Sequence, residues 1–350
     1  MFGLAIAAMV ASVAMIACSK EDAPAPQEEP EFYTVQLGWG GEIVDIAYEP
    51  LDTRAAGNDL YGIQVYSKPN NNSTATSWEP YAYGVFDDPT DISIDLASGN
   101  KYKFVATIVV DGKNKIGIDG EGEFDESKYY YCQPFIGYPL NNVGTFAYDN
   151  SNELEGIDQS YTALKNTNFS SSIPNTDRYY GELEGFMPSS SNLNAAITMK
   201  RVSFGAKFIA EGTLAKSGTL EIQISDAPKM SLTLTDEEDS ISDIFTFRDM
   251  RDVWYKAANP DTIATTESGT YDVYFKWIRP DKTELQIGTL PITFKRNTTT
   301  VVTIQMDNDV VEGDQTGGVG FSIASSETGE MPVDPNNSLT IVDGEVETGE

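Results

Sequence analysis

The sequence predicts an all-β protein in two units, and three observations predict it. From Phe32 to Met306 apolar residues recur at period two rather than at the helical 3.6. The runs that carry this alternation are rich in β-branched and aromatic side chains, and Gly, Asn, Asp and Pro punctuate them. At 350 residues the chain is long enough for two ordinary domains.

Residues 1–17 read as a secretory signal peptide. Leu4 to Ala17 is apolar except for Ser12. That run falls short of the about 20 residues a membrane-spanning helix needs and suits the h-region of a signal. It stops at Ala17-Cys18, and polar residues follow at once. The junction resembles a bacterial lipobox, whose cysteine takes a diacylglyceryl group and becomes the new N-terminus. Met15 stands where a lipobox usually has Leu, and Met1-Phe2-Gly3 lacks a basic n-region, which leaves room for a start further upstream. The alternative is an ordinary signal peptide with an incidental cysteine. At about 0.8 kcal/mol per buried CH₂, two or three acyl chains on Cys18 hold a protein on a membrane almost permanently.

Residues 18–31 read as a tether. Lys20-Glu21-Asp22 resembles the surface-export signal of Bacteroidetes lipoproteins, against the alternative of a merely solvated linker. Ala23 to Pro30 alternates proline into an extended, polyproline-like stalk. The expected address is the outer membrane, lipid-anchored, facing outwards.

Charge and composition then remove whole function classes. Lys and Arg total 23 against 54 Asp and Glu, a net charge of −31, and histidine is absent. Such a chain is repelled by nucleic acid and by anionic lipid heads, so no nucleic-acid partner is expected. Without histidine there is no Ser-His-Asp or Cys-His pair, no histidine general base and no histidine metal ligand. A carboxylate pair of the glycosidase kind remains open, but no acid stands out, so no enzyme activity, catalytic residue, cofactor or metal is assigned. Of the two cysteines, Cys18 is taken by lipid, which leaves Cys132 without an internal partner and excludes a disulfide framework. Beside Tyr129, Tyr130 and Tyr131, Cys132 reads as a small buried hydrophobe.

The first β unit is placed at 32–145, with strands at Tyr33 to Trp39, Ile43 to Tyr48, Leu60 to Tyr66, Ile92 to Leu96 and Tyr102 to Val110. Residues 146–195, poor in alternation and rich in Asn, Ser and Thr, read as an inter-domain excursion. The second unit is placed at 196–306. Its strands are Ala196 to Ala210, Thr219 to Ile224, Met230 to Leu234, Tyr271 to Ile278, Leu285 to Phe294 and Thr300 to Met306. Asp249 to Ala258 forms a short helix capped by Asp249, and Glu153 to Leu164 is a weaker helical stretch. Gly99 to Asp111 and Gly269 to Asp281 match as glycine turn, long strand and turn at Asp, which points to an internal duplication of a hairpin. Residues 307–350 hold eleven acids and no Lys or Arg, and read as an acidic tail rather than a packed unit, although Val319 to Ile323 and Leu339 to Val342 suit short strands.

Ile197-Thr-Met-Lys200-Arg201-Val-Ser-Phe-Gly-Ala206-Lys207, followed by Gly218-Thr-Leu-Glu-Ile222, resembles the fimbrillin-like lipoproteins of Bacteroidetes, where a Lys-Arg strand opens the second domain. Lys295-Arg296-Asn297 before Thr300 to Ile304 resembles that family's closing strand. The resemblance covers roughly residues 32–306. It implies two tandem Greek-key β-sandwich domains of transthyretin-like type and a structural or adhesive role at the cell surface. The implied partners are other fimbrial subunits, or host or glycan ligands. The alternative is a glycan-binding surface lipoprotein of a polysaccharide-uptake system.

Pilins of that family mature by a cut after an arginine near the N-terminus. Thr53-Arg54-Ala55 sits between strand patterns, where a protease reaches it, or Arg54 is an ordinary loop residue. A cut there would remove Tyr33 to Tyr48 with the lipid, and the acidic tail would be the natural donor strand. Tyr129 to Tyr131, Tyr179-Tyr180 and Trp78 are the aromatics that would stack on sugars if exposed, or fill a core if not. Asp111, Asp119, Glu121, Glu123 and Asp125 fail the EF-hand spacing because Lys113 and Lys115 fall at ligand positions, which favours a solvated hairpin. Gly38-Trp39-Gly40-Gly41 precedes a β pattern where a dinucleotide loop needs a helix. Asp239-Ser240-Ile241 and Asp261-Thr262-Ile263 match the Asp, Ser or Thr, aliphatic pattern of Bacteroidetes O-glycosylation. Both are read as loops, where Ser240 and Thr262 carry sugar or simply close turns.

Overall fold

The computed structural model describes residues 30–42, 58–70, 77–158, 175–225, 227, 229–236, 238–261, 267–307 and 320–330, the last of these as backbone only. Among them strands dominate, and one helix is longer than a single turn.

The first unit is one continuous eight-stranded sheet, curled on itself round a core in sandwich fashion. Its strands are β1 (Phe32–Gly41), β2 (Leu60–Pro69), β3 (Glu79–Phe86), β4 (Ser93–Ala97), β5 (Asn100–Val109), β8 (Ala147–Tyr148), β9 (Arg178–Phe186) and β10 (Asn194–Arg201). The order is β4-β1-β10-β9-β5-β2-β3-β8. A small ribbon, β6 (Ile118–Gly120) with β7 (Tyr129–Tyr131), stands beside it. β1 and β10 run parallel, from Gln36 opposite Asn194 to Gly41 opposite Met199. The sheet curls until its edges meet. The Asp95 N–H of edge strand β4 donates to the Tyr148 hydroxyl of the opposite edge at 3.1 Å, and the Tyr81 hydroxyl donates to the Asp95 carbonyl at 2.8 Å. Inside the curl lies a core of Val35, Leu37, Ile63, Ile94, Phe104, Ile108, Ile197 and Met199 with their neighbours. The alternation read in β1, β4 and β5 is the signature of that inner face.

The outer face of the same sheet is also covered, by the segment between β5 and β9. Phe135, Tyr138, Leu154 and Ile157 pack there against Leu60, Val105, Val109 and Tyr180. Two buried polar side chains of the sheet pin this cover. The Gln64 carboxamide accepts from the Leu154 N–H at 2.7 Å. The fully buried Arg178 donates to Thr107 Oγ1 at 3.0 Å and to the carbonyls of Gly156 and Ile157 at 3.0 and 3.2 Å. Gly156 has φ +80°, and a Cβ there would lie 1.8 Å from the Pro134 carbonyl oxygen, so only glycine fits.

Residues 146–195 are therefore no excursion. β8, β9 and the start of β10 lie within that span, and β9 is an interior strand between β10 and β5. Its first residues, Arg178 to Gly181, are buried on both faces, so no period-two signal survives in the sequence. The expected boundary at 195/196 falls inside β10. The run read as one strand, Ala196 to Ala210, is two strands in different sheets, broken at Val202.

The second unit packs two four-stranded sheets face to face. One has the order β14-β11-β17-β18, the other β13-β12-β15-β16. Their strands are β11 (Ser203–Glu211), β12 (Thr219–Ile224), β13 (Met230–Thr233), β14 (Glu238–Thr246), β15 (Ser268–Ile278), β16 (Glu284–Lys295), β17 (Thr298–Asp307) and β18 (Gly320–Glu330). β11 and β17 pair in parallel. Between the sheets Phe204 lies 4.4 Å from Phe294 and 4.8 Å from Phe247, ring centre to ring centre, and Phe208 meets Phe275 edge to face. Burying one such side chain contributes about 1.5–3 kcal/mol. Tyr271, Val273, Phe275 and Trp277 share the buried face of β15, as the alternation predicts.

The proposed duplication does not hold. β15 and β16 form the expected hairpin, turning at Arg279 to Thr283. After β5 the chain instead makes a one-turn helix, Gly112–Lys115, because both edges of β5 are already taken by β2 and β9. Nor is the tail wholly unstructured. Asp307 ends β17, and β18 pairs antiparallel along it from Asp307 opposite Gly320 to Thr298 opposite Glu330. Val319 to Ile323, read as suiting a short strand, overlaps the start of β18, which runs on to Glu330; main-chain hydrogen bonds to an edge do not depend on side-chain charge, so the acidic composition does not prevent it. Leu339 to Val342 and Ile43 to Tyr48 lie outside the described residues. Residues 153–158 form no helix, with a turn only at 155–156, and 159–164 lie outside the description.

Candidate functional site

Two polar constellations stand out, and both lie where the units meet. The first is built by the Lys-Arg strand. Arg201 closes β10 and is buried; its Nε and Nη2 grip the Asp177 carboxylate at 2.9 and 2.6 Å, and Nη1 donates to Asn297 Oδ1 at 3.2 Å. Glu42 enters from the end of β1, where Gly41 turns the chain at φ +78° with no room for a Cβ beside the Met199 carbonyl. The Glu42 carboxylate accepts from the Arg201 N–H at 3.0 Å, from Arg296 at 2.9 Å and from Lys200 at 3.4 Å. Arg296 also pairs with Glu267. Lys200-Arg201 and Arg296-Asn297, the two stretches that carry the family resemblance, thus meet in one clamp joining β1, β10 and the β16–β17 turn. Burial pushes the Arg201 pKa down, but Asp177 outweighs that and raises it, so the guanidinium is permanently charged. Permanent charge with saturated geometry suits a structural joint.

The second constellation is a cleft of about 200 Å³ on the outer face of the large sheet. Tyr66 of β2, Lys103 and Val105 of β5, and Tyr180 and Glu182 of β9 form its floor; Ile157, Asp158 and Trp78 form its walls. The helix Met250–Ala258 brings Arg251 to its rim from the second unit. That helix docks through Trp254, whose Nε1 donates to the Thr198 carbonyl at 3.0 Å and whose ring meets Tyr180 edge-on at 5.8 Å. Asp249 precedes the helix as expected but makes no side-chain cap, its backbone at φ −100°, ψ 63° being outside the extended cap conformation.

Glu182 is the hub of the cleft. Its carboxylate, only 7 % exposed, accepts from Lys103 at 2.8 Å, from Arg251 at 2.6 Å and from the Tyr180 hydroxyl at 2.7 Å. Burial pushes its pKa up, but these donors together outweigh burial and hold it below the ordinary glutamate value. The Tyr180 hydroxyl is pushed up, first by burial and then by Glu182, so it stays a donor. Burial, then Glu153 and Asp158, do the same for Tyr66. Trp78 carries the Lys68 ammonium 4.0 Å over its ring.

Of the aromatics singled out in the sequence, the structure brings together only Trp78 and Tyr180. Tyr179 faces the inner core, Tyr131 is buried, and Tyr130 is exposed on the small ribbon. Cys132 is half-buried rather than buried, and burial raises its thiol pKa. Asp111 precedes the one-turn helix, half-buried, while Asp119, Glu121, Glu123 and Asp125 stay spread over the exposed β6–β7 region, where Asp125 caps the turn at Ser127. Among the described residues no three His, Cys, Asp or Glu side chains gather closely enough to hold a metal ion. Ser240 lies in edge strand β14 opposite Ile209, not in a loop, and its side chain is exposed. Neighbouring Asp239 closes a turn by accepting from the N–H groups of Thr235 and Asp236. Cys18, Lys20, Glu21, Asp22, Arg54 and Thr262 lie outside the described residues. No described helix is long and apolar enough to cross a membrane.

The fold is an all-β protein of two packed units with a saturated joint and one polar-aromatic cleft. No protein-family model matches the chain, and no curated protein matches it. Solved structures do. The fimbrial anchor protein Mfa2 from Porphyromonas gingivalis is 8% identical with a TM-score of 0.37, over 84% of this chain and 97% of that one. A "putative cell adhesion protein" from Bacteroides eggerthii is 10% identical with a TM-score of 0.36, over 85% and 95%. A "putative adhesin" from Bacteroides thetaiotaomicron is 10% identical with a TM-score of 0.35, over 84% and 96%. These names fall in the class that the sequence resemblance points to, but at such scores the likeness bears no functional argument.

Proposed function

We propose that the chain is a surface-anchored structural or adhesive protein of fimbrillin-like kind, held in the outer membrane by lipid on Cys18 and exported through Lys20, Glu21 and Asp22. The observation that carries this reading is the position of β1. It follows the proline-rich tether directly and is an interior strand of the first sheet, between β4 and β10. A tether from Cys18 to Phe32 reaches roughly 40 Å at about 3.1 Å per extended residue, which would present a rigid β body clear of the membrane. The joint is saturated with ion pairs, and in the cleft Glu182 is held by Lys103 and Arg251. An ionised Glu182 held by Lys103 and Arg251 makes a poor general acid, which supports a role other than catalysis. Val35 and Leu37 are buried and Glu42 ties β1 to the joint, so on this reading Arg54 stays uncut and the protein remains an anchored subunit or adhesin. Its partners would be other surface subunits or host or glycan ligands, with Ser240 and Thr262 as candidate O-glycosylation sites. Protease shaving of intact cells tests the address. Wild type should be digested, and a Lys20, Glu21, Asp22 to alanine variant should be protected while keeping its lipid. Equal digestion of the two would remove the export reading.

A further inference from the structure

We propose that the cleft over β2, β5 and β9 binds one ring of a neutral sugar. The cleft joins three features that carbohydrate binding uses together. It offers aromatic surface, Tyr66 and Trp78, both partly exposed, against which the apolar face of a pyranose ring can lie. It offers directional hydrogen-bond capacity in both senses. Arg251 spends two of its N–H groups on Glu182 and has others free of that pair, while Asp158 presents exposed carboxylate oxygens. And its charge is balanced, with Lys103 and Arg251 set against Glu182 and Asp158.

That balance decides the ligand class. An aromatic cage for a quaternary ammonium group would carry surplus negative charge, and here Lys68 already occupies one face of Trp78. A site for a phosphate or carboxylate would carry unpaired cations, and here Glu182 engages both Lys103 and Arg251. What remains is a polar, aromatic, electrically neutral hollow. Its size fixes the scale. At about 200 Å³ it lies below the about 300–1,000 Å³ of drug-sized pockets, a scale that suits one sugar ring. The site is pre-formed, because Arg178 and Gln64 pin the 154–157 cover and the Trp254 dock fixes the helix that carries Arg251. The proposal gives the adhesive reading a ligand class. If it fails, an anchored structural role without a ligand still stands.

Saturation-transfer NMR on the mature full chain tests it. The probes are glucose, galactose, mannose, fucose, N-acetylglucosamine and N-acetylgalactosamine, with choline and N-acetylneuraminic acid as charged comparators. At least one neutral sugar should show transfer to its ring protons, reduced at least fivefold in Trp78→Ala and in Asp158→Ala. Asp158 is exposed, so its variant decides the matter if Trp78→Ala fails to fold. Transfer only to choline or only to N-acetylneuraminic acid would overturn the proposal. So would no transfer to any neutral sugar, or wild-type transfer in a folded variant.

Discussion

Truncating Arg201 to alanine removes one guanidinium from the joint, and what it leaves behind sets the size of the effect. Asp177 is 9% exposed and would lose both of its short contacts, at 2.9 and 2.6 Å, becoming a carboxylate stranded out of water. Asn297 would lose its donor as well. Removing one partner of a buried pair costs about 3–5 kcal/mol, far more than the pair is worth in place, because the other charge is left uncompensated. Arg201→Lys keeps the charge but loses the fork, so it should cost less, about 1.5–3 kcal/mol for one charge-assisted bond. Asp177→Ala with Arg201→Ala strands neither charge, so the double variant should be more stable than the sum of the singles by about 1–3 kcal/mol. Urea unfolding of the mature chain, followed by tryptophan fluorescence, reads the wild type, Arg201→Ala, Arg201→Lys, Asp177→Ala and the double variant. A loss below about 1 kcal/mol for Arg201→Ala, or strict additivity in the cycle, would show that the joint is not the buried, coupled network described.

Phe204→Ala should cost about 3–5 kcal/mol in the same assay, since Phe204 is buried and its ring touches those of Phe247 and Phe294; a loss under 1 kcal/mol would deny that the second core centres there. Glu182 adds a pH signature. Its folded pKa is depressed, so its stabilisation is complete above the ordinary glutamate value of about 4.3 and fades as pH falls through the lower folded value. The gap in melting temperature between wild type and Glu182→Gln should therefore be widest near neutral pH and shrink in acid; a gap independent of pH would contradict the ion-pair reading. Gly156→Ala should destabilise the protein because the new Cβ meets the Pro134 carbonyl, and unchanged thermal unfolding would refute that approach.

The sequence was most legible where strands are covered on one face only. β1, β12 and β15 alternate cleanly, and their alternation placed them within a few residues. It failed where both faces are covered, as in β9, whose buried Tyr179 and Tyr180 serve opposite sides of one sheet and read as no pattern at all. At β18 it caught only the start, Val319 to Ile323, because an edge strand is held by main-chain bonds that leave little trace in composition. The parallel pairings of β1 with β10 and β11 with β17 join residues far apart in the chain, which local periodicity does not encode. The cleft was half visible. Trp78 and Tyr180 were singled out as aromatics, but Lys103, Glu182 and Arg251 come from two strands and a helix of different units.

An intact, anchored body is what the proposed function requires, and mass spectrometry of the protein purified from its native membrane tests that most directly. The predicted result is a chain whose N-terminus is an acylated Cys18 and which retains the segment through Arg54 and β1. An unlipidated chain, or one beginning just after Arg54, would contradict it.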